Sequence, residues 1–163
     1  MNIYTSNYYE CQFGNRISIS GDKGKSVGFV GKCIPELAPK KEFWKIWHDN
    51  IGVIPEEENN RFYIKNYYDL VLSKVDVIEL LKNEHNPILL CYERGEAFCH
   101  RHVLAEYINI KYGIYVKDIK FKQCAMLENP RPLYIRNILL DVMSRAWFLW
   151  HTPKSWFIFL SGS

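Results

Sequence analysis

The stretch Pro87-Ile-Leu-Leu-Cys-Tyr-Glu-Arg-Gly-Glu-Ala-Phe-Cys-His-Arg-His-Val-Leu-Ala-Glu-Tyr-Ile108 changes its hydrophobic period halfway along. Ile88 to Cys91 is a short apolar run of the kind a buried strand makes. Glu93 to Glu96 is polar and holds a glycine, as a turn does. Beyond Cys99-His100-Arg101, Val103, Leu104, Tyr107 and Ile108 fall on one face of a helix. The stretch therefore predicts strand, loop, helix. Two thiols, a carboxylate, an imidazole and a guanidinium gather where the chain leaves the strand and enters the helix. In open α/β sheets ligands bind at that place, because the helix N-terminus presents unpaired N–H groups and a positive dipole end.

Downstream, Gly113 is a helix stop and Tyr115 to Phe121 reads as another strand. A β-loop-α-β order implies a parallel pair with a right-handed crossover. Ile135, Ile138, Leu139, Val142, Met143 and Ala146 step by three and four, so a C-terminal helix is expected. Upstream, residues 2–8 and Arg16 to Ser20 read as strands. Gly21 to Ser26 carries glycine and lysine without the spacing of a phosphate loop, and is expected as a flexible loop. Residues 27–39 look irregular. Residues 40–50 read as a helix whose Phe43, Trp44 and Trp47 form a core-packing stripe. Residues 61–82 read as two short helices or one bent one. The fold class is α/β: three layers, a mostly parallel sheet with flanking helices, and the site at the carboxyl ends of the strands. Residues 1–146 form the expected single domain. Residues 147–163 form an aromatic tail, packed on that domain or on a second copy through a two-fold contact.

The chain has 163 residues, 48% of them apolar, enough for a real core. The charge is +3, from 21 basic and 18 acidic residues, too balanced to argue by itself for nucleic acid. Five cysteines, an odd number, argue against a disulfide framework. With no basic, apolar leader at the N-terminus, a reducing cytoplasmic setting is the simplest reading. His151, Pro153 and Lys154 interrupt the apolar tail, so no membrane partner is expected.

The motif carries a resemblance. Leu89-Leu-Cys-Tyr-Glu93 followed by Cys99-His-Arg101 resembles the signature of the family called domain of unknown function 488. In that family a strand ending Cys-x-Glu is followed by Cys-His-Arg at a helix start. Ile3-Tyr-Thr5 resembles its opening strand, Arg16-Ile-Ser-Ile-Ser20 its second, and Glu36-Leu-Ala-Pro39 its next segment. The resemblance covers residues 1–121. It implies a compact intracellular α/β domain with a catalytic or binding role for the motif residues, and it supplies no reaction. Thr5 and Arg16 join Arg101 as the expected ligand-binding residues.

The chemistry expected of the motif follows from residue types. A thiol at a helix N-terminus beside His100 and Arg101 has its thiolate favoured, so Cys99 is the candidate nucleophile. The other reading of Cys99 is a half-buried structural cysteine. Cys91 is the candidate second thiol, able to resolve an oxidised Cys99. Glu93 is a candidate acid or base, or an orienting partner for Arg101. His100 is a candidate base for the thiol. Arg101, with its planar fork, is the candidate anion ligand. The string Cys-x7-Cys-His-x-His is not a standard zinc spacing, and Cys11 or Cys33 would have to complete it; no metal and no cofactor is expected. Cys91 and Arg101 are too far apart in sequence for the Cys-x5-Arg loop of cysteine phosphatases. The expected function is a cysteine-dependent enzyme acting on an anionic, phosphate-bearing small molecule, a nucleotide or nucleic acid. The alternative is a non-catalytic anion-binding or protein-interaction module.

Overall fold

The computed structural model describes residues 2–95, 97–122, 125–128 and 131–151. Among the described residues six strands form one sheet in the order β3-β2-β4-β1-β5-β6: β1 Tyr4–Asn7, β2 Arg16–Ser18, β3 Lys32–Cys33, β4 Ile88–Cys91, β5 Lys117–Lys122 and β6 Ala125–Glu128. The first five run parallel, and β6 turns back antiparallel on β5. The helices are α1 Lys41–Asp49, α2 Glu56–Leu70, α3 Val77–Leu81, α4 His100–Tyr112 and α5 Tyr134–His151. The architecture is three-layer α/β with a mostly parallel sheet and flanking helices, as the sequence predicts.

The central strand β4 explains the layering. Side chains alternate across a strand, and all four residues of β4 are buried. Leu89 faces the larger core, with Ile17, Tyr67, Val103 and Leu139. Ile88 and Leu90 face a smaller cluster on the opposite side, with Tyr8, Cys11 and Ile119 and with Val27 and Phe29 from the 21–31 segment. The two-residue step from Leu89 puts Cys91 on the larger, helical side. α4 packs on β1 and β4 and against α5 and α2. It is buried without interruption from His100 to Ile108, as a helix covered all round must be.

Some boundaries differ from the sequence reading. The strands β4 and β5 are parallel but not neighbours, because β1 lies between them. A short β3 and a 3-10 turn at Pro35–Leu37 order the segment read as irregular. Residues 61–82 lie in two helices, α2 and α3, joined by a 3-10 turn at Leu72–Lys74. The helix α5 continues past residue 146, where the aromatic tail was expected to begin, through His151. Residues 152–163, and with them the expected dimer contact, lie outside the described residues. Among the described residues no helix is long and apolar enough to cross a membrane.

Candidate functional site

The loop 92–99 leaves β4 and re-enters the fold at Cys99, the N-cap of α4, with an extended backbone (φ −153°). Arg101 holds this loop. It is fully buried; its Nη1 donates to the Glu93 carbonyl at 2.6 Å and its Nη2 to the Gly95 carbonyl at 3.2 Å. Its Nε donates to Asp118 Oδ1 at 3.0 Å. Thr5 Oγ1 donates to the same carboxylate oxygen at 2.7 Å. His102 Nε2 lies 3.6 Å from Asp118 Oδ2, beyond hydrogen-bond length. Burial raises the Asp118 carboxyl, but His102 and Arg101 outweigh it and hold it below its ordinary range.

The other motif side chains converge above the carboxyl end of β4. The Cys91 thiol donates to Glu93 Oε2 at 3.1 Å, and Cys99 Sγ lies 2.9 Å from the same oxygen. His100 Nδ1 lies 3.3 Å from Cys91 Sγ and 3.9 Å from Cys99 Sγ. The far ring nitrogen, Nε2, sits 3.0 Å from the Ile19 carbonyl, which can only accept, so Nε2 carries a hydrogen. The tautomer is thereby set, and Nδ1 is the ring position turned toward the sulfurs.

These groups have displaced acidities. Burial raises the Cys99 thiol, but the neighbouring Cys91 thiol and the charges of Arg101 and His100 outweigh it, and Cys99 stands well below the ordinary thiol range. Burial and the negative charge at Cys99 push Cys91 well above it. Of the two thiols, Cys99 is therefore the one whose surroundings favour the negative charge. Burial first, and the charge on Cys99 second, raise Glu93 to about 7. Burial lowers His100, yet the charges of Cys99 and Glu93 raise it overall.

Cys91, Glu93, Cys99 and His100 line one wall of a cleft of about 790 Å³. Trp44 and Trp47 of α1, Tyr63 of α2, Tyr92 and Phe98 supply its aromatic lining. Phe98 meets Tyr63 edge to face, with ring centroids 5.2 Å apart, and Trp47 at 5.5 Å. Lys40 and Lys41, exposed at the start of α1, also line the cleft, as do Asp22 and Ser26 of the glycine loop. Asp22 makes that loop a defined turn. Its Oδ1 accepts from Gly24 N at 3.0 Å, its Oδ2 from Ser26 N at 3.1 Å, and the Tyr92 hydroxyl donates to it.

Four of the expected site residues, Cys91, Glu93, Cys99 and His100, thus meet at one place. Arg101 and Thr5 do not reach the cleft; their polar atoms are committed to Asp118 and the loop carbonyls, which overturns the expectation of Arg101 as the exposed anion ligand. Arg16 heads β2 opposite Ile88, at the other end of the sheet, with its guanidinium over the Phe29 ring. The core-packing stripe expected of α1 is only partly core: Trp44 is 39% exposed and lines the cleft. Metal-type ligands also come together, against the expectation from spacing. Ligand atoms of Cys91, Cys99 and His100 all lie within 4.8 Å of one another. Neither Cys11 nor Cys33 completes the set. The Cys11 thiol donates to the Phe13 carbonyl on the opposite face, and Cys33 lies near the carbonyls of Lys23 and Gly31.

A parallel α/β sheet with a thiol pair, a carboxylate and an imidazole at its carboxyl end is an α/β domain with a cysteine-centred candidate site. A family model described as the Active DUF488-N3 subclade matches residues 7–111, more than half of the chain. The chain belongs to the DUF488 family. The matched residues include Arg16 and the whole motif but not Thr5. No curated protein and no solved structure matches the chain.

Proposed function

We propose that this protein is a thiol-dependent hydrolase or transferase whose substrate joins a planar ring to a phosphate, with a nucleotide as the simplest member of that class. The observation that carries the reading is Cys99, a buried thiol whose neighbours Arg101 and His100 favour its ionised form, 2.9 Å from the Glu93 carboxyl, which burial raises to about 7, on the wall of an aromatic cleft. The Cys99 thiolate attacks the electrophilic atom and forms a covalent adduct. Protonated Glu93 gives its proton to the leaving group as that bond breaks. The resulting Glu93 carboxylate then takes a proton from water, or from an acceptor hydroxyl, which displaces Cys99 and restores the starting state. Cys91 keeps its proton, with its S–H directed at Glu93 Oε2.

Trp44 and Trp47 suit the ring, since bases stack on aromatic faces. Lys40, Lys41 and the N–H groups at the start of α1 suit the phosphate. The free thiols of Cys11, Cys33, Cys91 and Cys99 fit a reducing cytoplasm.

The test is intact-mass analysis of the full chain after acid quench from a panel of nucleotides and ring-free phosphate esters. The expected result is an adduct with ring-bearing phosphates that is absent in Cys99→Ser. Trp44→Ala should weaken their binding by about 1–3 kcal/mol, the scale of one base stacked on an aromatic ring. Binding without adduct or turnover, equal in the wild type and Cys99→Ser, would instead make the protein a binding module.

A further inference from the structure

We propose that Cys91, Cys99 and His100 also form a binding site for a soft divalent cation, zinc by preference, with a fourth position open to the cleft. The first support is shape. Zinc bonds of about 2.3 Å to sulfur and 2.0–2.1 Å to nitrogen, at tetrahedral angles, put sulfur and nitrogen about 3.6 Å apart. The two sulfur-to-Nδ1 separations, 3.3 and 3.9 Å, lie on either side of that value. Small movements of two side chains would place an ion between all three.

The second support is independent of those distances. A ligating histidine nearly always donates its other ring N–H to a carbonyl or carboxylate, which fixes the ring and points the lone pair at the metal. His100 has that arrangement, with Nε2 on the Ile19 carbonyl and Nδ1 toward both sulfurs. The position facing the thiols therefore takes either a proton or a metal ion. The ligand types decide the kind of ion: two thiolates and an imidazole select zinc over magnesium or calcium.

Three protein ligands with an open position toward a cleft are how zinc is held where it meets a substrate or water. Glu93 touches both sulfurs through one oxygen and stands beside the set. On binding, the protons of Cys91 and His100 leave for solvent, and both sulfurs become metal-bound thiolates. A thiolate bound to zinc shares its lone pair with the metal and is a weaker nucleophile, so metal binding competes with thiol chemistry at this site. The inference shares its residues with the thiol-dependent reading but does not require it.

The experiment titrates metal-free, reduced full-length protein with cobalt(II), then displaces the cobalt with zinc. The expected result is one equivalent bound, with a thiolate-to-cobalt charge-transfer band of the intensity given by two sulfurs and the visible bands of a tetrahedral ion. Zinc should abolish those bands and protect Cys99 from alkylation. The Cys91→Ser variant should halve the charge-transfer band. His100→Ala should weaken binding by more than the roughly 10–100-fold that losing an orienting partner costs. Cys33→Ser should change nothing. Should Cys91→Ser not fold, the band intensity of the wild type still counts the sulfurs. No charge-transfer band, or one that disappears in Cys33→Ser, overturns the site. A thiolate on Cys99 with no cobalt band would leave the thiol reading standing alone. A cobalt band with no thiolate in the metal-free protein would leave the metal site standing alone.

Discussion

Arg101 shows how one side chain can serve a site without touching its ligand. A guanidinium with no exposure is costly to bury unless every donor has a partner, and here the partners are Asp118 and two loop carbonyls. Its charge lies close enough to Cys99 to favour the thiolate. Replacing Asp118 with Asn leaves that charge buried and half-paired, which should cost about 3–5 kcal/mol at neutral pH. The pH dependence has a definite sign. The folded-state pKa of Asp118 is lowered, so its stabilising contribution is complete above the unfolded carboxylate value and is lost as pH falls through the lower, folded one. Denaturant melts of the wild type and Asp118→Asn should differ most near pH 7 and converge in acid; a gap that is constant with pH would mean that charge is not the cause. The sequence put Cys91, Glu93, Cys99, His100 and Arg101 in one neighbourhood but could not say which way each would face. Which of three consecutive residues looks into the cleft depends on the angle at which α4 enters. Arg101 is claimed by Asp118 from β5, a contact from helix to strand that no local spacing encodes.

Short elements hold the cleft open, and the glycine loop is the most demanding of them. Gly24 has φ +76°, and a Cβ there would stand 2.6 Å from Phe29 Cβ and 2.9 Å from Tyr8 Cε1. Gly24→Ala therefore meets both a left-handed backbone and a clash with fixed atoms. It should cost about 1–3 kcal/mol of stability, the range of a strained backbone position. Thermal melts would show it, and a neutral result would mean that the turn fixed by Asp22 is looser than its hydrogen bonds imply. The strand–loop–helix of β4 and α4 was legible because a short apolar run, a polar turn with a glycine and an apolar set at helical spacing follow one another. The strand β6 was not, because Ala125-Met-Leu-Glu128 favours helix by composition and is a strand through its pairing with β5. The aromatic positions of α1 were legible as a stripe but not as a cleft wall. Phe43 is buried in the core while Trp44, one residue on, is exposed, and a helix of this length turns one toward the core and the other toward the opening.

The chain as folded divides its labour between the ends of the sheet. The carboxyl ends of β2 and β4, the head of α1 and the N-terminus of α4 meet around one cleft, and the chemistry-bearing residues sit there. The amino ends carry Arg16 and the close approach of Gly14 to Ile88, which are packing features. Both the thiol reading and the metal inference depend on how charge is shared between two sulfurs about β4, and the thiol reading has one central claim: Cys99 carries a thiolate at neutral pH while Cys91 keeps its proton. The direct measurement is the ultraviolet absorbance of thiolate across a pH titration of the metal-free, folded protein, with the Cys99→Ser curve subtracted. It requires no reagent to enter the cleft, so the burial of the sulfur does not affect it. The account predicts that the Cys99 signal is already present at pH 6 and changes little up to pH 8. A signal that appears only toward about pH 8.5, where an ordinary thiol ionises, would contradict it.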